Sequence, residues 1–208
     1  MSEDLAKYGD YVFQPGVFGA SDVYKLMGAN GGINTDSAQT LILEKAAEQL
    51  TGLSNHTSSQ AIDWGNLYEP EARLYYEYAF GCEVIKPAPQ SPEWSEWVRV
   101  SADGIVDSKK GTEFKCPYNS ANHLKHMLIR SAKDLYNVSK QYYWQVQQGL
   151  LIYEFEKWDF CSYDPRFVGN KRMIVVEIPR VEPDIIRLKE NLMLAVAQKI
   201  EILQRIER

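Results

Sequence analysis

Ser101-Ala102-Asp103-Gly104, followed by Glu113-Phe114-Lys115-Cys116-Pro117, reads as two strands of one hairpin. Val98, Val100, Ile105 and Val106 supply β-branched apolar residues on both sides of Asp103, and Asp107 to Gly111 is turn-like. In an extended strand Glu113 and Lys115 project from one face and Phe114 from the other. The hairpin therefore gathers two carboxylates and an ammonium around one point. Carboxylate oxygens suit Mg²⁺, which keeps several of its own waters, and a nearby lysine stabilises developing negative charge or orients an attacking water. That combination is the chemistry of phosphodiester cleavage. The plainer alternative is an exposed hairpin carrying ordinary surface charges.

The chain has 208 residues, 45% of them hydrophobic, which fits a single α/β domain with a sizeable core. No apolar run approaches the roughly 20 residues that span a bilayer. Glu3 and Asp4 near the start do not fit a signal peptide, so the expectation is a protein that stays inside the cell. Cys82, Cys116 and Cys161 are odd in number and widely spaced, which argues against a disulfide framework or a zinc ribbon. A net charge of −5 excludes bulk electrostatic coating of nucleic acid, so any DNA contact must be local. Between His123 and Lys140 the basic residues Lys125, Arg130, Lys133 and Lys140 face one acid, Asp134, which makes this segment the candidate DNA-facing surface; a solvated helix face of mixed charge is the alternative.

Ala20 to Met27 reads as a short helix stopped by a loop over Gly28-Ala29-Asn30-Gly31-Gly32, which lacks the Gly-Lys-Ser/Thr of a Walker motif. Asp36 is placed to cap a helix to about Leu50, and Ser58 or Ser59 another to about Phe80. Strands are expected near Cys82 to Lys86, Trp97 to Ser101, Gly104 to Asp107 and Thr112 to Lys115. One or two helices fill Ser120 to Tyr153, and strands follow at Trp158 to Tyr163 and Arg172 to Ile178. Pro183 opens a last amphipathic helix, at about 183–207, with an apolar stripe running from Ile185 to Ile206 that packs on the domain or contacts another subunit.

Further stretches fall at fixed places: Gly16-Val17-Phe18-Gly19-Ala20-Ser21-Asp22-Val23, Trp64-Gly65-Asn66-Leu67-Tyr68-Glu69-Pro70-Glu71-Ala72 and Tyr142-Tyr143-Trp144-Gln145-Val146-Gln147. With the hairpin motif they resemble the lambda-exonuclease (YqaJ-like) family of viral recombination nucleases in the PD-(D/E)xK superfamily, over roughly residues 14 to 160. The resemblance implies an α/β fold with a restriction-endonuclease-like core, a central mixed β-sheet flanked by α-helices. It implies a Mg²⁺-dependent 5′→3′ exonuclease on double-stranded DNA ends, with two ions for which Mn²⁺ substitutes. Asp103, Glu113 and the Phe114 backbone carbonyl would be the metal ligands; Lys115, Glu69 and Gln145 would be catalytic. Ser21, Arg73, Lys125, Arg130 and Lys133 are assigned to DNA and 5′-phosphate binding, Ser21 because a helix N-terminus favours an anion. The plain reading of Glu69 is an i, i+4 surface pair with Arg73, and of Gln145 a buried amide. A homotrimeric ring, a phage single-strand annealing partner and a place in the host bacterial cytoplasm are also implied. The sequence departs from the family pattern at Gln14-Pro15-Gly16, where an arginine is expected.

Three alternatives compete with this reading. An iron–sulfur repair nuclease needs four cluster cysteines, more than this chain has. A restriction-like endonuclease would cut closed circular DNA. A non-catalytic DNA-end-binding recombination protein has no need of metal ligands. His123 and His126 share a helix face but lack a third zinc ligand at suitable spacing. The aromatics from Tyr136 to Trp144 read mostly as core, with stacking on bases as the alternative.

Overall fold

The computed structural model describes residues 14–28, 32–54 and 59–208. Residues 29–31 of the expected Gly28–Gly32 loop, the alternative cap at Ser58 and the acidic start at Glu3 and Asp4 lie outside those residues. A five-stranded mixed sheet has the order β2-β4-β5-β6-β7, with β2 at Val84–Ile85, β4 at Gly104–Val106, β5 at Lys110–Lys115, β6 at Lys157–Tyr163 and β7 at Met173–Pro179. The β5–β6 pair is parallel and the other pairs antiparallel. β1 (Phe18–Gly19) and β3 (Val98–Arg99) form a separate parallel pair. A mixed sheet flanked by helices is the fold class the sequence implies.

The hairpin between β4 and β5 is tighter than expected. Val106 pairs with Lys110 and Ile105 with Gly111, so β5 starts inside the stretch that reads as turn. Asp107 and Ser108, both at φ above 50°, make the reversal in the left-handed region that short polar residues tolerate. The strands alternate as their pleat demands: Phe114, Cys161 and Tyr163 pack with Ala72 and Tyr76 of α2 (Gln60–Phe80). The larger cluster joins Trp158 and Phe160 to α1 (Asp36–Thr51), α5 (Lys140–Tyr153) and α6 (Glu182–Ile206).

Helix starts follow side-chain chemistry. Thr35, rather than Asp36, caps α1 by accepting from the Ala38 N–H, and Ser59 caps α2 by accepting from Ile62. Between β1 and Gly28 there is room only for a 3-10 turn, Val23–Leu26, in place of the expected Ala20–Met27 helix. The segment after β5 breaks into α3 (Ser120–His126), α4 (Ala132–Val138) and α5, each opened by a capping Asn or Ser. Along α6, Ile185, Leu188, Leu192 and Leu203 are buried within the domain, while Ile200 and Ile206 remain exposed.

Gly111 and Gly149 let α5 approach the sheet, because the Trp158 indole lies over both. A Cβ at Gly111 would meet that ring at 2.3 Å and one at Gly149 at 2.7 Å. Gly111→Ala is expected to destabilise the protein by about 1–3 kcal/mol through overpacking, read as a lower urea midpoint with an unchanged slope.

Candidate active site

β5 presents Glu113 and Lys115 on the face turned towards α5. Glu113 is 3% exposed, and the Lys115 ammonium stands 2.5 Å from its carboxylate. Asp103, one residue before β4, is tied to the same strand because its Oδ2 accepts the Phe114 N–H at 2.7 Å. The Lys115 Nζ also donates to Gln145 Oε1 of α5 at 3.2 Å and stands 4.8 Å over the Tyr142 ring. Glu69 comes from the middle of α2, directly before Pro70, which has no N–H to return to the Asn66 carbonyl one turn back. Its Oε1 accepts from Arg73 Nη2 at 2.7 Å and from Lys86 at 3.1 Å.

The electrostatics follow from burying two acids, Asp103 and Glu113, close to a third, Glu69. Burial raises the Asp103 carboxyl well above the usual range, the charges of Glu113 and Glu69 raise it further, and Lys115 acts against them. Glu113 is raised too, by burial first, although Lys115 opposes this and Glu69 adds to it. At Lys115 burial favours the neutral amine, but the pull of Glu113 and Asp103 outweighs it and holds the ammonium charged. Cys116 is pushed up to about 12, mainly by burial and then by Glu69 and Asp103, so its thiol stays protonated.

All these groups open into one cavity of about 800 Å³, lined by Glu69, Asp103, Glu113, Phe114, Lys115 and Gln145 along one wall. Ser21 and Lys125 lie on the same cavity. Hard oxygen donors that are buried and mutually repelled are what a small divalent cation relieves. Among the described residues no three His, Cys, Asp or Glu side chains form a ready-made cage. Two carboxylates and a backbone carbonyl nevertheless fit Mg²⁺, which retains several waters.

A model of the YqaJ-like viral recombinase domain matches residues 12–178. The chain belongs to that family. No curated protein matches it. Its fold is that of the alkaline exonuclease LHK-Exo from Laribacter hongkongensis, at TM-score 0.80 and 22% identity over 93% of this chain and 92% of that one. The same enzyme solved with dAMP superposes at TM-score 0.78 with 23% identity over 93% and 92%. A phage-related exonuclease from Haemophilus somnus superposes at TM-score 0.76 with 15% identity over 94% and 97%.

In this YqaJ-like domain Asp103, Glu113, Phe114, Lys115, Glu69 and Gln145 come together, as the motifs require. Several expected DNA contacts do not. Arg73 is 2% exposed; its Nε donates to the Asp103 carbonyl at 3.1 Å and its Nη2 to Glu69, so it braces the acids and cannot reach a DNA strand. Arg130 is exposed but folds back onto the Met127 and Ile129 carbonyls, and neither it nor Lys133 lines the cavity. Ser21 lies before a four-residue 3-10 turn, Val23–Leu26, rather than at the start of an α-helix, so the helix N-terminus expected for anion binding is not built. Beside the segment where an arginine is expected, the Arg99 guanidinium donates to Gln14 Oε1 at 2.8 Å and the Lys199 ammonium to the Gly16 carbonyl at 2.8 Å.

Sequence reasoning missed Lys86, whose role comes from a pairing across 17 residues that no periodicity marks. The two histidines are buried and share one hydroxyl: both Nδ1 atoms stand 2.8 Å from Ser162 Oγ. His123 Nε2 faces the Lys171 carbonyl and so must donate to it. Burial, then His123 and Lys115, lower His126 to about 4, keeping it neutral. Tyr143 and Trp144 are buried, as a core reading expects.

Proposed function

We propose that this protein is a Mg²⁺-dependent exonuclease that enters double-stranded DNA at an end, digests one strand 5′→3′, releases 5′-mononucleotides and leaves a 3′ single strand. The observation that carries the reading is the convergence of Asp103, Glu113, Glu69 and Lys115 on one cavity. Family membership supports it, as does the shared fold with two proteins named as exonucleases. Asp103, Glu113 and the Phe114 carbonyl would hold the metal, with Mn²⁺ as a substitute and two ions as the expected number. Bound there, the ion supplies Lewis acidity towards the phosphate and lowers the pKa of water.

The chain's own groups do the rest. Lys115 brings its positive charge to the scissile phosphate, and Gln145 fixes the direction of that ammonium by accepting one of its protons. Glu69, held by Arg73 and Lys86 through one oxygen, keeps the other to accept a hydrogen bond from the attacking water. Polarity, a homotrimeric ring around DNA, an annealing protein that receives the 3′ strand and action in the host bacterial cytoplasm are proposed from the family resemblance. A ring accounts for processivity because DNA escapes only when subunits part or the duplex ends.

An end-labelled linear duplex tests the reading. Nucleotide release with Mg²⁺, its loss in EDTA and resistance of covalently closed circles are the expected results. Cutting of closed circles would make the protein an endonuclease, and release that persists in EDTA would remove the metal.

A further inference from the structure

We propose that Tyr118 is a stacking subsite for a nucleobase of the DNA end, a role that deepens the exonuclease reading and rests on it for the identity of the ligand. Tyr118 is 49% exposed, lines the cavity and follows Lys115 by three residues, a reach of at most about 10 Å. Exposed aromatics occur elsewhere on this protein, such as Tyr78 at 89%, but Tyr78 does not line the cavity. Tyr118 also belongs to a braced corner. Its ring meets Trp64 edge-on, with centroids 5.8 Å apart at 76°, and Trp64 packs on Tyr68 at 4.3 Å.

Behind that corner stands Arg166. Its guanidinium lies 4.5 Å over the Trp64 ring and is gripped by both oxygens of buried Asp164, at 2.7 and 2.8 Å. The same guanidinium donates to the Pro117 carbonyl at 3.0 Å, which fixes the backbone that carries Tyr118. A half-exposed aromatic held this firmly loses little side-chain entropy when a flat ligand lands on it. Bases offer such flat faces whatever their identity. The carbonyl oxygens of two nearby amides are already engaged: Asn119 Oδ1 by the Ala121 N–H and Asn122 Oδ1 by Lys125. A grip by stacking, indifferent to sequence, is what digestion through arbitrary DNA requires.

The test uses a short linear duplex with 2-aminopurine as its 5′-terminal nucleotide, mixed with protein in EDTA so that nothing is cleaved. The wild type and Tyr118→Phe are expected to change the 2-aminopurine emission, and Tyr118→Ala to leave it near the free-DNA value. In Mg²⁺, Tyr118→Ala should raise KM for duplex roughly tenfold, with the larger share of the loss in KM rather than kcat, and Tyr118→Phe should restore it. Emission and KM that are the same for Tyr118→Ala and wild type would overturn the subsite while exonuclease activity stands. A wild type that changes the emission yet releases no nucleotides would support the subsite and overturn the exonuclease reading instead.

Discussion

The Lys115→Ala protein is expected to bind linear duplex DNA while releasing nucleotides roughly 10²–10³ times more slowly than the wild type, the loss typical of removing one preorganised group that stabilises developing charge. The ammonium lies 2.5 Å from Glu113 and 3.2 Å from Gln145, so its charge is aimed before substrate arrives. The pull of Glu113 and Asp103 outweighs burial and holds it protonated, so it acts as a cation rather than as a proton acceptor. DNA binding draws on the wider cavity surface and changes less. The measurement pairs release of labelled nucleotide in Mg²⁺ with a mobility shift of the same duplex in EDTA. Near-normal release would take Lys115 out of the mechanism, and lost binding would make it a docking residue instead.

Glu113 and Lys115 were legible because strand alternation fixes which side chains share a face, and Asp103 because it stands at the other arm of the same hairpin; Glu69, on a helix, was placed by the family resemblance alone. Local rules also placed most element boundaries within a residue or two: Ser59 caps α2 and Pro183 stands at the start of α6. What stayed hidden depends on distant packing. Nothing in a Glu-x₃-Arg spacing says whether the arginine faces water or the interior, and here α2 turns Arg73 inward against the Asp103 carbonyl. A run of basic residues likewise does not reveal that Arg130 curls back onto its own turn. The Ala20–Met27 segment has enough helix formers for a helix, but the strand before it and the glycine after it leave space for one tight turn. The aromatic corner at Tyr118 unites residues from α2, the β5–α3 loop and the segment after β6. Each of them reads alone as ordinary core or surface.

With Asp103 proposed as a metal ligand, Asp103→Asn is expected to reduce cleavage roughly 10³-fold, and to make the metal-free protein more stable at a pH above the folded-state pKa of Asp103. Burial first, then Glu113 and Glu69, raise the folded-state pKa of Asp103 above its unfolded value. A carboxyl raised in this way binds its proton more tightly when folded. The stability it contributes is therefore complete below the unfolded pKa and is lost as pH rises through the folded one. Above that folded-state pKa the wild type holds ionised, mutually repelled carboxylates around Lys115. An asparagine keeps an oxygen to accept the Phe114 N–H and offers amide protons towards Glu113. Melting in EDTA at alkaline pH should rise by about 2–4 °C for each kcal/mol of repulsion relieved, and the gain should shrink as the buffer is acidified towards the range where the wild-type carboxyl is protonated. Adding Mg²⁺ should then raise the melting temperature of the wild type but not of the variant. A variant that melts below the wild type in EDTA at alkaline pH would show that Asp103 is held by favourable contacts rather than strained by its neighbours. The site would then not be one that waits for a cation.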